Sequence, residues 1–238
     1  MTQAPLALSG HYDPGLVALS VTIAVLASGA ALDLAGRVAA ARGRARALWL
    51  AGGAFAMGQG IWSMHFVGMK AFHLPVPVLY HLPTVVASFL AAVFASAVAL
   101  FVVSRPTLAL ARLAAGGTIM GGGIALMHYT GMAAMRMPAV LGYDPALVGL
   151  SVLIAIGVSL VALVLAFRLR AGSGGAWSWR KIGSALLMGA AIPAMHYTGM
   201  AAAQWTAVGG MVDPQHTLTI ASLGPAAVTS APLGAGRR

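Results

Sequence analysis

The chain has 238 residues, 60% hydrophobic and 8% charged, with four aspartates, no glutamate and a formal charge of +10. Soluble domains carry about 25% charged residues, and a soluble fold this poor in charge would expose large apolar patches; the composition therefore indicates a membrane protein. The absence of cysteine excludes disulfides, thiolate metal sites and cysteine nucleophiles, and the positive charge, lacking a basic face or a stacking module, does not point to nucleic acid.

The first segment, MTQAPLALSGHYDPG, has no basic stretch ahead of an apolar one, so it is not read as a cleaved signal peptide. Six apolar runs long enough to cross a bilayer follow, at about 16–34, 47–69, 82–103, 113–135, 146–167 and 182–203. The connections are expected to be short loops. One set of connections holds ten basic residues: Arg37, Arg42, Arg44, Arg46, Arg105, Arg112, Arg168, Arg170, Arg180 and Lys181. The other holds Lys70 and Arg136. The positive-inside rule puts the first set in the cytoplasm, so the N-terminus and the connections near 70–81, 136–145 and 204–217 are expected to face outward. Residues 218–238 contain Pro225 and Pro232 and end in Arg237 and Arg238; they read either as a tail or as a weak seventh span. A single membrane domain over 1–217 is expected, with no separate soluble domain.

A thirteen-residue motif is written three times. The copies are Met57-Gly58-x-x-Ile61-x-x-Met64-His65-Phe66-Val67-Gly68-Met69, Met120-Gly121-x-x-Ile124-x-x-Met127-His128-Tyr129-Thr130-Gly131-Met132 and Met188-Gly189-x-x-Ile192-x-x-Met195-His196-Tyr197-Thr198-Gly199-Met200. Seven positions are identical in all three. The copies fall on the second, fourth and sixth runs, which share one direction. The expected fold is thus an all-α membrane protein of three helical hairpins related by a pseudo-threefold axis, since parallel repeats place matching residues at one depth. On a helix, Gly58, Ile61, His65 and Met69 share a stripe, with Met57, Met64 and Gly68 on the next. The glycines are expected to let helices approach closely.

A histidine within a span is costly and tends to face the bundle interior. Three at matched depth, each with methionine one turn away, point to a metal. Thioethers favour Cu(I) and imidazole suits copper, so copper is the expected cofactor. Its ligands would be His65, His128 and His196, with Met69, Met132 or Met200 as weak additional ligands; Met64, Met127 and Met195 stay open, and Met57, Met120 and Met188 read as packing. Tyr129 and Tyr197, replaced by Phe66 in the first copy, read as hydrogen-bond donors behind the ligands or as interfacial anchors. His11, His73, His81 and His216 lie in outward connections and read as solvated or as extra ligands. Asp13, Asp144 and Asp213 precede proline and read as turn residues. Asp33 is expected opposite loop arginines. Two axial histidines could ligate haem, but a threefold match does not suit it.

The segments MHFVGM (64–69), MHYTGM (127–132) and MHYTGM (195–200), within GQGIWSMHFVGMKAF and MGAAIPAMHYTGMAAA at the first and third copies, resemble the bacterial MHYT-domain family over about residues 10–215. The resemblance implies an integral-membrane sensor module binding copper through Met, His and Tyr. It also implies a response to O2, CO or NO and, in many members, cytoplasmic diguanylate cyclase, phosphodiesterase or kinase domains. Two departures stand out. This chain shows no such output domain, so signalling would pass to a separate partner. Its segment Tyr80-His81-Leu82-Pro83 has histidine where an aspartate is expected. A copper transport or metallation protein and a membrane copper enzyme using oxygen are the competing readings.

Overall fold

The computed structural model describes residues 7–170, 178–208 and 216–219. Six long helices follow one another as α1 (Pro14–Ala40), α2 (Gly43–Ala71), α3 (Leu82–Val103), α4 (Leu110–Ala133), α5 (Pro145–Leu169) and α6 (Trp179–Ala202). Each packs on its sequence neighbours and α6 closes onto α1, so the six form a ring. Close approach is enforced by the first glycine of each motif copy. A Cβ on Gly58, Gly121 or Gly189 would overlap the backbone of Val93 in α3, Ile156 in α5 or Val25 in α1.

The ring is apolar on its outer surface as well as in its core. Leu26, Leu90, Phe94 and Leu153 are 58–67% exposed, while the buried polar residues include three histidines and serines such as Ser20, Ser88 and Ser151. An apolar exterior suits hydrocarbon as solvent. α1, α3, α4 and α5 are long and apolar enough to cross a membrane, and the chain is a multi-pass membrane protein. α2 and α6 carry the first and third motif copies, whose glycines and histidine dilute their apolar runs.

Two expectations about the connections are corrected. Only Ala41 and Arg42 separate α1 from α2, so Arg37, Arg44 and Arg46 are helical rather than in a loop. Arg37 in the last turn of α1 suits the negative end of the helix dipole and pairs with Asp33 one turn earlier at 2.7 Å. At the same end Arg46 donates to Ser104 Oγ at 2.8 Å, and Arg170 donates to the carbonyls of Val103, Arg105 and Pro106. Those carbonyls close the α3–α4 connection, so arginine side chains serve here as caps as well as charges.

The opposite connections are not plain loops, and the all-α description is incomplete. They form short antiparallel strands: β1 (Ala7–Leu8), β2 (His11–Tyr12), β3 (Phe72–His73), β4 (Leu79–His81), β5 (Met135–Arg136), β6 (Ala139–Tyr143), β7 (Ala203–Ala207) and β8 (Thr217–Thr219). The sheets are β1-β7-β6, β2-β3 and β5-β4-β8. They tie each hairpin shut, because the residue capping the odd helix donates its backbone N–H to the end of the even one. Asp13 bonds Ala71, His81 bonds Ala134 and Asp144 bonds Ala202, at 2.8–2.9 Å. Asp13 and Asp144 also accept backbone N–H groups from the first turns of α1 and α5, the N-cap role expected of a short acidic side chain. Of 218–238, read as tail or seventh span, only Leu218 and Thr219 are described, in β8; the rest lies outside the described residues.

Candidate metal centre

The three motif helices turn their histidines toward one another. His65, His128 and His196 are 0–1% exposed. Their Nδ1 atoms form a triangle with edges of 3.2 Å (His65–His128), 3.1 Å (His65–His196) and 3.3 Å (His128–His196). The rings stand edge to face, 80–87° apart, with centroids 5.0–5.1 Å apart. Among the described residues they are the only group of three or more histidine or acidic side chains placed to share an ion.

Each ring is held by a neighbouring repeat. A Cβ on Gly131 of α4 would overlap the His65 ring, one on Gly199 of α6 the His128 ring, and one on Gly68 of α2 the His196 ring, in each case at Nε2. The second glycine of the motif is therefore a seat for an imidazole, not only a site of helix approach. The seating is cyclic: the seat on each motif helix takes the histidine of another. Each Nε2 has no hydrogen-bond partner in the protein.

The triangle cannot be satisfied by protons alone. A neutral imidazole presents either an N–H or a lone pair at Nδ1, and a hydrogen bond along an edge needs one of each. Three corners of two kinds always leave one edge joining like to like. A central cation accepts three lone pairs at once. The centre of a triangle this size lies about 1.9 Å from each corner, close to the roughly 2.0 Å of a metal–imidazole bond. The donor set thus fits a metal, and three neutral imidazole nitrogens suit copper, zinc, iron or nickel.

The remaining candidate residues surround this triangle unequally. Met64, Met69, Met127, Met132, Met195 and Met200 are all 0–3% exposed. Met69, Met127, Met132 and Met200 belong to the apolar cluster at the strand end, with Trp62, Phe66 and Tyr80; Met195 belongs to the cluster further down the ring. Tyr129 and Tyr197 lie edge-on to the histidine before them, with centroids 4.8 Å apart. Their hydroxyls meet Ser151 Oγ at 2.6 Å and Ser20 Oγ at 2.8 Å. Each serine already donates its proton to a carbonyl three residues back, Val148 or Val17, so the tyrosines are the donors. In the first copy Phe66 has no hydroxyl, and Trp62 Nε1 donates to Ser88 Oγ at 3.1 Å instead. Sequence reasoning missed these serines. Their signal was a serine seven residues after each of Asp13, His81 and Asp144.

The outward histidines have other partners. His11 and His73 face each other across β2–β3 and stack at 5.3 Å. His81 Nδ1 lies 2.8 Å from Thr84 Oγ1. The carbonyl of His216 accepts from Leu82.

Comparison with known proteins follows the same residues. The family described as the MHYT bacterial signalling protein N-terminal repeat matches residues 3–51, 58–116, 121–177 and 189–232. The chain is 56% identical over 203 residues to the bifunctional diguanylate cyclase/cyclic di-GMP phosphodiesterase MucR of Pseudomonas aeruginosa, covering 83% of this chain and 29% of MucR. It is 46% identical over 191 residues to the cyclic di-GMP phosphodiesterase NbdA of the same organism, covering 80% and 24%. It is 41% identical over 193 residues to the signalling protein YkoW of Bacillus subtilis, covering 81% and 24%. The chain thus spans less than a third of the length of each of these relatives. No solved structure matches it. A repeat matched four times along the chain, the last three matches each opening on a motif segment and its histidine, assigns the protein: it belongs to the MHYT family of bacterial signalling proteins.

Proposed function

We propose that the protein is a copper-binding sensor module of the bacterial inner membrane, holding the ion through Nδ1 of His65, His128 and His196. The observation that carries this reading is the triangle of buried nitrogens, which no arrangement of protons satisfies. Copper would supply an electrophile able to bind O2, CO or NO or to change oxidation state. The chain's own residues would fix the imidazoles through the glycine seats and keep water out. In this reading all six helices cross the membrane. The ten-to-two distribution of basic residues supports placing the site and the N-terminus toward the periplasm. The names of MucR and NbdA support an output in cyclic di-GMP turnover, on a separate partner or on further domains.

The test is X-ray absorption on purified protein with its copper content measured. The expected result is a copper with imidazole scattering that is lost in the triple variant His65→Ala, His128→Ala, His196→Ala and weakened in His128→Asn alone. Undiminished imidazole-bound copper in the folded triple variant would overturn the assignment. Labelling of a cysteine introduced near residue 75 checks the orientation: labelling from the cytoplasmic side only would invert it.

A further inference from the structure

Eight residues before each triad histidine stands a methionine: Met57, Met120 and Met188. Eight residues are about two helical turns, roughly 12 Å of rise. The three are 7–8% exposed and line the same two internal cavities, of about 40 Å³ on the histidine side and about 20 Å³ beyond. They therefore stand between the two spaces, at one level of the ring.

Two more observations concern the larger cavity. Ser28 and Ser159 line it; both are 0–2% exposed, and neither hydroxyl oxygen has a hydrogen-bond partner in the protein. Their counterpart in the second hairpin, Ser96, donates to the carbonyl of Ala92. Methionine commonly fills irregular gaps in a core. Here three methionines at one register border space on both sides, and the two unbonded hydroxyls line the larger space with them. Gap filling accounts for neither feature, whereas a ligand does. Thioethers are soft, neutral donors that select monovalent copper, and hydroxyl oxygens add weak further donors. Among the described residues no carboxylate lines either cavity, so the lining does not suit a hard divalent ion.

We infer that Met57, Met120 and Met188 form a second metal site, an all-thioether seat for a soft monovalent cation about two turns inward of the histidine triangle, with Ser28 and Ser159 beside it. The inference goes beyond the proposed function, since it needs none of the triad histidines. It gives the bundle two soft-metal positions at different depths.

The experiment uses the full chain in detergent, titrated with Cu(I) under nitrogen with ascorbate and separately with Ag(I), and read by stoichiometry and X-ray absorption. The wild type is expected to bind two ions. The variant Met57→Leu, Met120→Leu, Met188→Leu is expected to bind one, with imidazole scattering retained. The variant His65→Ala, His128→Ala, His196→Ala is expected to keep one ion with a sulfur-dominated shell. Because the triple leucine change alters packing, Met120→Leu alone is also titrated, in the background lacking the histidines, and should weaken the remaining ion at least tenfold. A folded variant lacking the three triad histidines that binds no ion, or one lacking Met57, Met120 and Met188 that still binds two, overturns the second site. Loss of the imidazole-bound ion alone overturns the first and leaves the second standing.

Discussion

Trp62 does for Ser88 what a tyrosine does for the equivalent serine in each of the other two repeats: its Nε1 donates to Ser88 Oγ at 3.1 Å. The phenols of Tyr129 and Tyr197 meet Ser151 and Ser20 at 2.6 and 2.8 Å. The threefold pattern of buried donors thus survives the replacement of tyrosine by Phe66. The substitution Trp62→Phe removes the donor and leaves part of the indole's volume empty. Losing a buried hydrogen bond costs about 1–3 kcal/mol, so the variant should melt at lower temperature in detergent. Adding Phe66→Tyr supplies a hydroxyl where the other repeats carry theirs, and the double variant should recover part of the loss. A double variant melting no higher than Trp62→Phe would refute the equivalence.

The glycine seats predict a metal-binding defect from a change that touches no ligand. A methyl group at Gly131 meets the His65 ring. Overpacking a filled site costs about 1–3 kcal/mol, enough to weaken copper binding at least about fivefold if the ring is displaced. Gly122→Ala, on the same helix with nothing within 4 Å of the added atom, should leave copper binding unchanged. Equal copper affinity in the two variants would show that the seat does not position the imidazole.

His81 occupies the N-cap position of α3 with φ −72° and ψ 110°, close to Asp13 (−79°, 113°) and Asp144 (−74°, 116°), yet it makes no side-chain cap bond. The replacement His81→Asp should supply the missing cap. Such caps are worth about 0.5–2 kcal/mol, so the melting temperature should rise even with the contact to Thr84 lost, and Asp144→Ala should lower it. A fall in His81→Asp would mean that the contact between His81 and Thr84 outweighs the cap.

Two tyrosines among the strands give the protein an alkaline limit. Burial, reinforced by Tyr197, pushes Tyr12 up to about 12, and burial with Tyr129 does the same for Tyr143. Unfolded tyrosine loses its proton near pH 10, so between about pH 10 and 12 the native state holds more protons than the unfolded chain. Stability then falls with rising pH across that window and is fully present below it. Melting temperatures from pH 9 to 12 should show the decline, and Tyr12→Phe with Tyr143→Phe should flatten it. An unchanged slope would assign the limit elsewhere.

Much of this arrangement was legible in the residues. The long apolar runs gave the six helices, because hydrophobicity sustained over twenty residues is a strong signal, and the spacing of 63 and 68 residues between histidines gave the repeat. The strands were not legible. Pieces of two to five residues such as β2 and β5 carry too little alternation to be read, and their pairing depends on which helix ends lie together. The role of Gly131 was half legible: smallness at a helix interface can be read, but which ring it accommodates is a relation between repeats. The sulfurs are the converse case. Met57, Met120 and Met188 were recognised as equivalent and read as packing, because a sequence records their register and not the space they leave.

The cyclic seating has a consequence for any single hairpin. Each carries one imidazole and one berth, but the berth fits another hairpin's ring and never its own. The nitrogen triangle therefore exists only while all three seams of the ring are shut. Loosening one seam frees one histidine and empties one berth together, so the centre and the closure of the bundle are a single cooperative unit.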